Sequence, residues 1–163
     1  MNLGEAKNKF ICEWGKLCSQ WGVNKTMGQI HALLLVSQHD LTSENIINTL
    51  QISQGNVNMN LRALEDWRLV ERVHKTGERK DFFRAEKDFG KILKLIVAQR
   101  KKKELDPLLE LLDDVSSVEP NCPESNEFCR ILKDLRTYSL KADRALEAIS
   151  RTEPNWISRI FLR

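Results

Sequence analysis

SQGNVNMNLRALEDWRLVERV, running from Ser53 to Val73, carries two periodicities in succession. Val57, Leu61, Leu64 and Trp67 recur at threes and fours, the spacing of one helix face, and Ser53 is a residue type that caps a helix start. From Leu69 the pattern changes to the alternation of a strand. Within the helical part stand Gln54, Asn56, Asn58 and Asn60, largely off the apolar stripe. Asn is a middling helix former, so stability alone does not ask for these amides. Their groups are free for something outside the protein.

Working outward, LTSENIINTL before this stretch predicts a short helix with Thr42 or Ser43 as N-cap and Ile46, Ile47 and Leu50 turned inward. The QIS turn ends it. Two short helices joined by about three residues make a helix-turn-helix. Its second helix presents Ser53, Gln54, Gly55, Asn56, Asn58, Met59 and Arg62. Asn and Gln can bond adenine bidentately in the major groove, and Arg does the same for guanine. Gly55 lets a backbone come close to phosphate, where a helix N-terminus also favours an anion. The same residues also describe a polar helix face with no partner, and the next segment favours DNA. LVERVH and DFFRAE alternate as strands on either side of KTGERK, a hairpin whose tip holds Lys75, Thr76, Arg79 and Lys80. A basic hairpin after a recognition helix is a wing, placed to reach phosphates or a minor groove.

Upstream, Phe10, Trp14, Leu17, Cys18 and Trp21 mark an amphipathic first helix that stops at Gly22. Thr26 can cap a second helix, which carries Ile30, Leu33, Leu34 and Val36 to the polar break at Ser37 to Asp40. Downstream, FGKILKLIVAQRKKKELDPLLELLDDV predicts one long helix or two in series, with Pro107 kinking it or opening a new segment after Asp106 as N-cap. SSVEPNCPES is a loop. A further helix bears Phe128, Ile131, Leu132, Leu135, Leu140 and Leu146, and WISRIFL a final short one. These apolar positions are too many for one domain face, so a partner subunit is expected to cover them, and a symmetric dimer would supply a second recognition helix about 34 Å away. A monomeric helical cap is the alternative.

The net charge of +3 is unevenly spread. Residues 1–52 are neutral, 53–103 carry a surplus of seven basic side chains, and 104–163 a deficit of four. A basic middle suits a nucleic-acid contact region attached to something with another task. With 163 residues and ordinary apolar and charged fractions, the chain is long enough for a genuine core. MNLGEAKNKF is too polar for a secretory signal, and no apolar run nears the roughly 20 residues of a membrane span, so a cytoplasmic protein without membrane contact is expected. Cys12, Cys18, Cys122 and Cys129 form no CxxC pair and read as reduced thiols packed in the core. Cys122 and Cys129 can share a helix face.

GQIHALLLVSQHDLTSENIINTLQISQGNVNMNLRALEDWRLVERVHKTGERKDFF, together with FICEWGKLCSQWG, resembles the MarR superfamily of winged-helix regulators and in particular its GbsR branch. The recognition-helix pattern S-x-G-N-V-N-M-N-L-R-x-L-x-D-W and the wing pattern G-x-R-K-D carry the likeness, which covers roughly residues 5 to 115. The resemblance implies a homodimer that binds a palindromic operator in double-stranded DNA and represses or tunes transcription. It places the recognition helix, Ser53 to Arg62, in the major groove and the wing, Lys75 to Lys80, in the minor groove. GbsR regulators respond to choline or related osmoprotectants, and a quaternary ammonium is held by aromatic faces. Trp14, Trp21 and Trp67, with Phe10 nearby, are therefore candidate effector-pocket residues, although aromatics at spacings of four and seven on a helix usually pack in a core.

Nothing in the sequence asks for catalysis, a metal or another cofactor. His31, His39 and His74 are scattered, and HExxH, GxSxG and P-loop patterns are missing. Asp113 and Asp114 are adjacent on a helix and do not face each other. The expected fold is mainly α: a first helix plus a winged helix-turn-helix over residues 1–87, and long C-terminal dimerisation helices over residues 88–163. The expected function is a DNA-binding transcriptional regulator of the repressor type; a winged-helix protein-interaction module without DNA binding is the alternative.

Overall fold

The computed structural model describes residues 1–151, and the expected helix at WISRIFL lies outside them. Helix α1 spans Leu3–Gln20, opened by a capping box in which Asn2 and Glu5 bond each other's backbone. It stops where Gly22 takes φ 74°. Helix α2, Lys25–Val36, is capped by Asn24 and not by Thr26: the Asn24 side-chain Oδ1 accepts from both the Thr26 and the Met27 N–H. Two residues of β1, Leu41–Thr42, lead into α3, Ser43–Leu50, where Thr42 is the N-cap and Asn45 closes the box. Gln51 turns the chain at φ 53°, and Ser53 caps α4, Gln54–Asp66, accepting from the Asn56 N–H at 3.3 Å.

The hairpin follows as expected. Strands β2, Val70–His74, and β3, Asp81–Ala85, pair antiparallel with Val70 opposite Ala85 and His74 opposite Asp81. The tip is a four-residue turn closed from the Glu78 N–H to the Lys75 carbonyl, with Gly77 at φ 87° in the third position, the one that a type II turn reserves for glycine. A feature missed from sequence is that β1 adds to the far side of β3, giving a three-stranded sheet in the order β1-β3-β2. Two residues have no visible period. This three-helix core with a hairpin makes a winged helix-turn-helix.

The core of this part is Ile30, Leu34, Ile46, Val57, Leu61, Leu64, Leu69, Phe83 and their neighbours. Helix α1 buries Cys18 and part of Trp14 as expected, but the buried face is turned from the expected one. Ile11, Gly15 and Cys18 are inside, whereas Phe10, Leu17 and Trp21 remain 38, 41 and 54% exposed. The reason is a close crossing: a Cβ built on Gly28 would lie 2.7 Å from the Cys18 Cβ and 3.2 Å from the Gly15 Cα. Two glycines bring the helix backbones together, and the aromatic stripe one position round is left facing outward.

The chain divides into two compact units, Met1–Ile92 and the part from Leu93 onward. Helix α5, Phe89–Arg100, passes through a π turn, Lys101–Leu105, into α6, Asp106–Asp114. Asp106 is not an N-cap; the backbone stays helical, and the Asp106 N–H bonds the Lys101 carbonyl five residues back. Pro107 has no N–H and its ring crowds the carbonyl four residues earlier, and the widened turn just before it removes that conflict. Lys101 lies between Asp106 at 3.1 Å and Asp143 at 2.9 Å, and both hold its ammonium firmly charged. After a 3₁₀ turn at Val115–Ser117, α7 runs from Pro123 to Arg151. Phe128, Ile131, Leu135 and Tyr138 form an exposed seam along it at 41, 49, 42 and 68%. Of the cysteines only Cys18 is buried; Cys122 is exposed at the start of α7, bonded to Ser125, which corrects the core assignment.

Candidate nucleic-acid interface

Helix α4 divides its polar residues in two. Gln54, Gly55, Asn58, Met59 and Arg62 are exposed, with Gly55, Asn58 and Arg62 at spacings of three and four along one face. Asn60 is only 3% exposed, and its Nδ2 donates to the Asn56 carbonyl at 2.8 Å and to the Asn56 Oδ1 at 2.7 Å. Asn56 itself is half-buried. Two of the four amides are therefore spent within the helix, where a buried amide needs partners; the expectation that all four point outward holds for Gln54 and Asn58. Asn60 lies three residues after Val57 and four before Leu64, so the apolar stripe itself places it on the buried side, a signal that its polar type concealed.

Gly55 is instructive. A Cβ there would meet nothing within 4 Å, and its φ is not positive, so neither packing nor backbone geometry requires glycine. Glycine in a helix costs about 1 kcal/mol relative to alanine. Arg62 lines a cleft of 240 Å³ with Ser43, Asn58, Leu61, Arg72, Asp81 and Phe83, and forms no ion pair among the described residues.

The wing cations are more engaged than their sequence suggests. Lys75 reaches Asp40 at 3.2 Å and sits over the Phe82 ring at 4.1 Å. Asp40 also accepts two bonds from Arg84, at 2.7 and 3.0 Å. Those hydrogen bonds, Arg84 first, hold the Asp40 carboxyl down to about 2, and its side chain is only 10% exposed. Arg72 bonds Glu65 of α4 through both Nε and a terminal nitrogen, and Asp81 through the other, while Asp81 also meets His74 Nδ1 at 3.1 Å. Lys80 meets Glu44 at 2.6 Å. These pairs fasten β2 and β3 to the loop before α3 and to α4. Among the described residues Arg79 alone of the hairpin's basic side chains has no carboxylate partner. Sequence spacing could not reveal this, because the partner acids are 36 and 44 residues away.

Trp14, half-buried with its Nε1 enclosed, stacks on exposed Phe10 at 5.5 Å and meets exposed Trp21 edge-on at 6.2 Å. Trp67 is 9% exposed at the C-cap of α4, in the winged-helix core. His31 is buried on α2 with no partner for Nε2, and burial lowers its pKa to about 4. Among the described residues no cluster of three His, Cys, Asp or Glu side chains could hold a metal, and no helix is long and apolar enough to cross a membrane.

No family model matches the sequence, and no curated protein does. Among solved structures, a crystal structure of a transcriptional regulator superposes with a TM-score of 0.64 at 21% identity, over 90% of this chain and 99% of that one. The superposition shows a common overall fold, and the element order and three-stranded sheet described above make that fold a winged helix. A MepR mutant from S. aureus aligns at a TM-score of 0.41 and 19% identity, over 85% of this chain and 92% of its own. A second MepR mutant, bound to an oligodeoxyribonucleotide, aligns at 0.42 and 18% with the same coverage. Likeness at that level does not fix a fold.

Proposed function

We propose that this chain is a DNA-binding transcriptional regulator of the MarR type, in its GbsR branch, acting as a homodimeric repressor on a palindromic operator. The observation that carries the reading is the outward face of α4: Gln54, Gly55, Asn58, Met59 and Arg62 are exposed together, and Gly55 has no structural need to be glycine. Asn58 and Arg62 supply base-reading groups for the major groove, and Gly55 lets the first turn approach a phosphate. Arg79, the unpaired wing cation, is the group for the minor groove or its flanking phosphates. The exposed seam of α7, recurring at threes and fours, supports a second copy as the partner, since an isologous contact needs one self-complementary face. An interaction module without DNA binding draws its support from the neutralised wing, in which Arg72, Lys75, Lys80 and Arg84 already hold carboxylates.

Selection of bound duplexes from a random pool, followed by titration against salt and sizing of the complex, separates the two. The regulator enriches a palindrome, binds it as a dimer and shows a steep salt slope. Absence of enrichment and of salt-dependent binding refutes the DNA reading.

A further inference from the structure

The ion pairs of the wing are of two kinds. In one, Asp40 is only 10% exposed and shared between Arg84 of β3 and Lys75 of the turn, with two bonds from the guanidinium. In the other, Lys80 meets Glu44 in the first turn of α3 at 2.6 Å, and the two side chains are 63 and 64% exposed. The bond to Lys80 lowers the Glu44 pKa, and the reciprocal bond raises that of Lys80. An exposed single pair of this kind is weakly held and screened by salt. The shielded, shared clasp on Asp40 is a fixture, and the exposed Lys80–Glu44 pair can exchange partners.

Beside that pair opens a cleft of about 420 Å³ lined by Thr42, Ser43, Glu44, Ile47, Gln54, Lys80 and Asp81. It lies where α3, the start of α4 and the wing converge, next to the exposed face of α4. We infer that Glu44 is a built-in competitor for the DNA backbone at Lys80, its carboxylate holding in the free protein the position on the ammonium that a backbone phosphate takes in the complex. The inference rests on the DNA reading above and adds how strongly that site binds. A carboxylate and a phosphodiester carry the same single charge, so Lys80 exchanges one for the other with little net gain, and the displaced Glu44 then faces a polyanion. The chain thereby holds its own backbone affinity down, leaving a larger share of the discrimination to Asn58 and Arg62.

Glu44→Gln keeps the shape of the side chain and removes its charge. Affinity for the selected operator is measured for wild type, Glu44→Gln, Lys80→Ala and the double variant, with thermal melts confirming that each folds. Glu44→Gln is expected to tighten binding about 3- to 10-fold, the scale of one phosphate contact over a fourfold change in salt or somewhat more. The gain is expected to be larger with lysine at position 80 than with alanine. Titration of the Glu44 carboxyl by ¹³C NMR gives a second readout: its pKa is lowered in the free protein and is expected to return to or exceed the ordinary value in the DNA complex. Unchanged or weaker binding by Glu44→Gln, or a Glu44 pKa that stays lowered in the complex, overturns the inference while leaving the DNA reading intact. A wild-type chain that binds no duplex overturns the DNA reading, and this inference with it.

Discussion

Replacing Gly55 by alanine separates a glycine retained for function from one retained for structure. In the free protein the new methyl group meets nothing within 4 Å, and the backbone already has a φ that alanine accepts. The folded state therefore loses no contact, while the unfolded chain loses conformational freedom, so stability should rise by roughly 0.5–1 kcal/mol. For a chain of this size the melting temperature should climb by about 1–4 °C. DNA binding should move the other way. If the first turn of α4 lies against the backbone or a base edge, a methyl group at position 55 holds it off. A tenfold loss of affinity for the selected operator, about 1.4 kcal/mol, is a conservative expectation because the proposed dimer would carry the change twice. Melts followed by circular dichroism and anisotropy titrations with labelled operator give the two numbers. Alanine that stabilises the protein and leaves operator affinity unchanged would refute the close approach and remove the main support for α4 as the reading helix. Alanine that destabilises the free protein would refute the structural half of the reasoning.

Arg79→Ala should weaken binding to all duplexes alike and make the salt slope shallower by roughly 0.9 per bound wing, whereas Asn58→Ala should leave the slope alone and flatten base preference at one position in each half-site; the opposite assignment would reverse their roles. His31 has a folded pKa of about 4 against an ordinary 6.5, so the unfolded chain takes up the proton first. Its contribution is complete above about pH 6.5 and is lost as the pH falls toward 4, amounting to up to about 3 kcal/mol. Denaturant melts should show wild type losing that much more than His31→Leu between pH 7 and 4, and parallel curves would discount the buried imidazole. Arg68 occupies the left-handed region at φ 58° just past α4, where glycine carries no steric cost. Arg68→Gly should raise stability by about 1 kcal/mol in the same melts, and a loss would mean that the arginine side chain is engaged.

Elements with a long period were legible in the sequence. The Val57, Leu61 and Leu64 stripe and the alternation from Leu69 gave α4 and the hairpin with their caps, because burial of one face imposes a spacing that the residues must obey. The sites of error had no such spacing. Strand β1 is two residues long, Asn24 won the α2 cap through a side chain that reaches two N–H groups, and Pro107 was absorbed by a π turn that only the backbone reveals. The face of α1 was misjudged because aromatic size suggested a core, while Gly15 and Gly28, which have no side chain to weigh, set the crossing. For the candidate site, residue types were readable and their state of engagement was not. Asn60 spends its amide on the preceding turn, and Lys75, Lys80 and Arg84 spend their charge on acids far away in the chain. Periodicity describes which way a residue faces and carries no information on what already holds it.

The contact of Gly15 with Gly28 gives α1 a mechanical character. Helices separated by a layer of long side chains can slide as those side chains change rotamer, but backbones in near contact have no such lubricant. A torque applied to the outward aromatic ridge of α1 therefore turns α2 with it, and α2 is the helix against which α4 is packed. The ridge and α4 are thereby linked through α2 like two ends of one gear train, with the small residues at the crossing as its teeth.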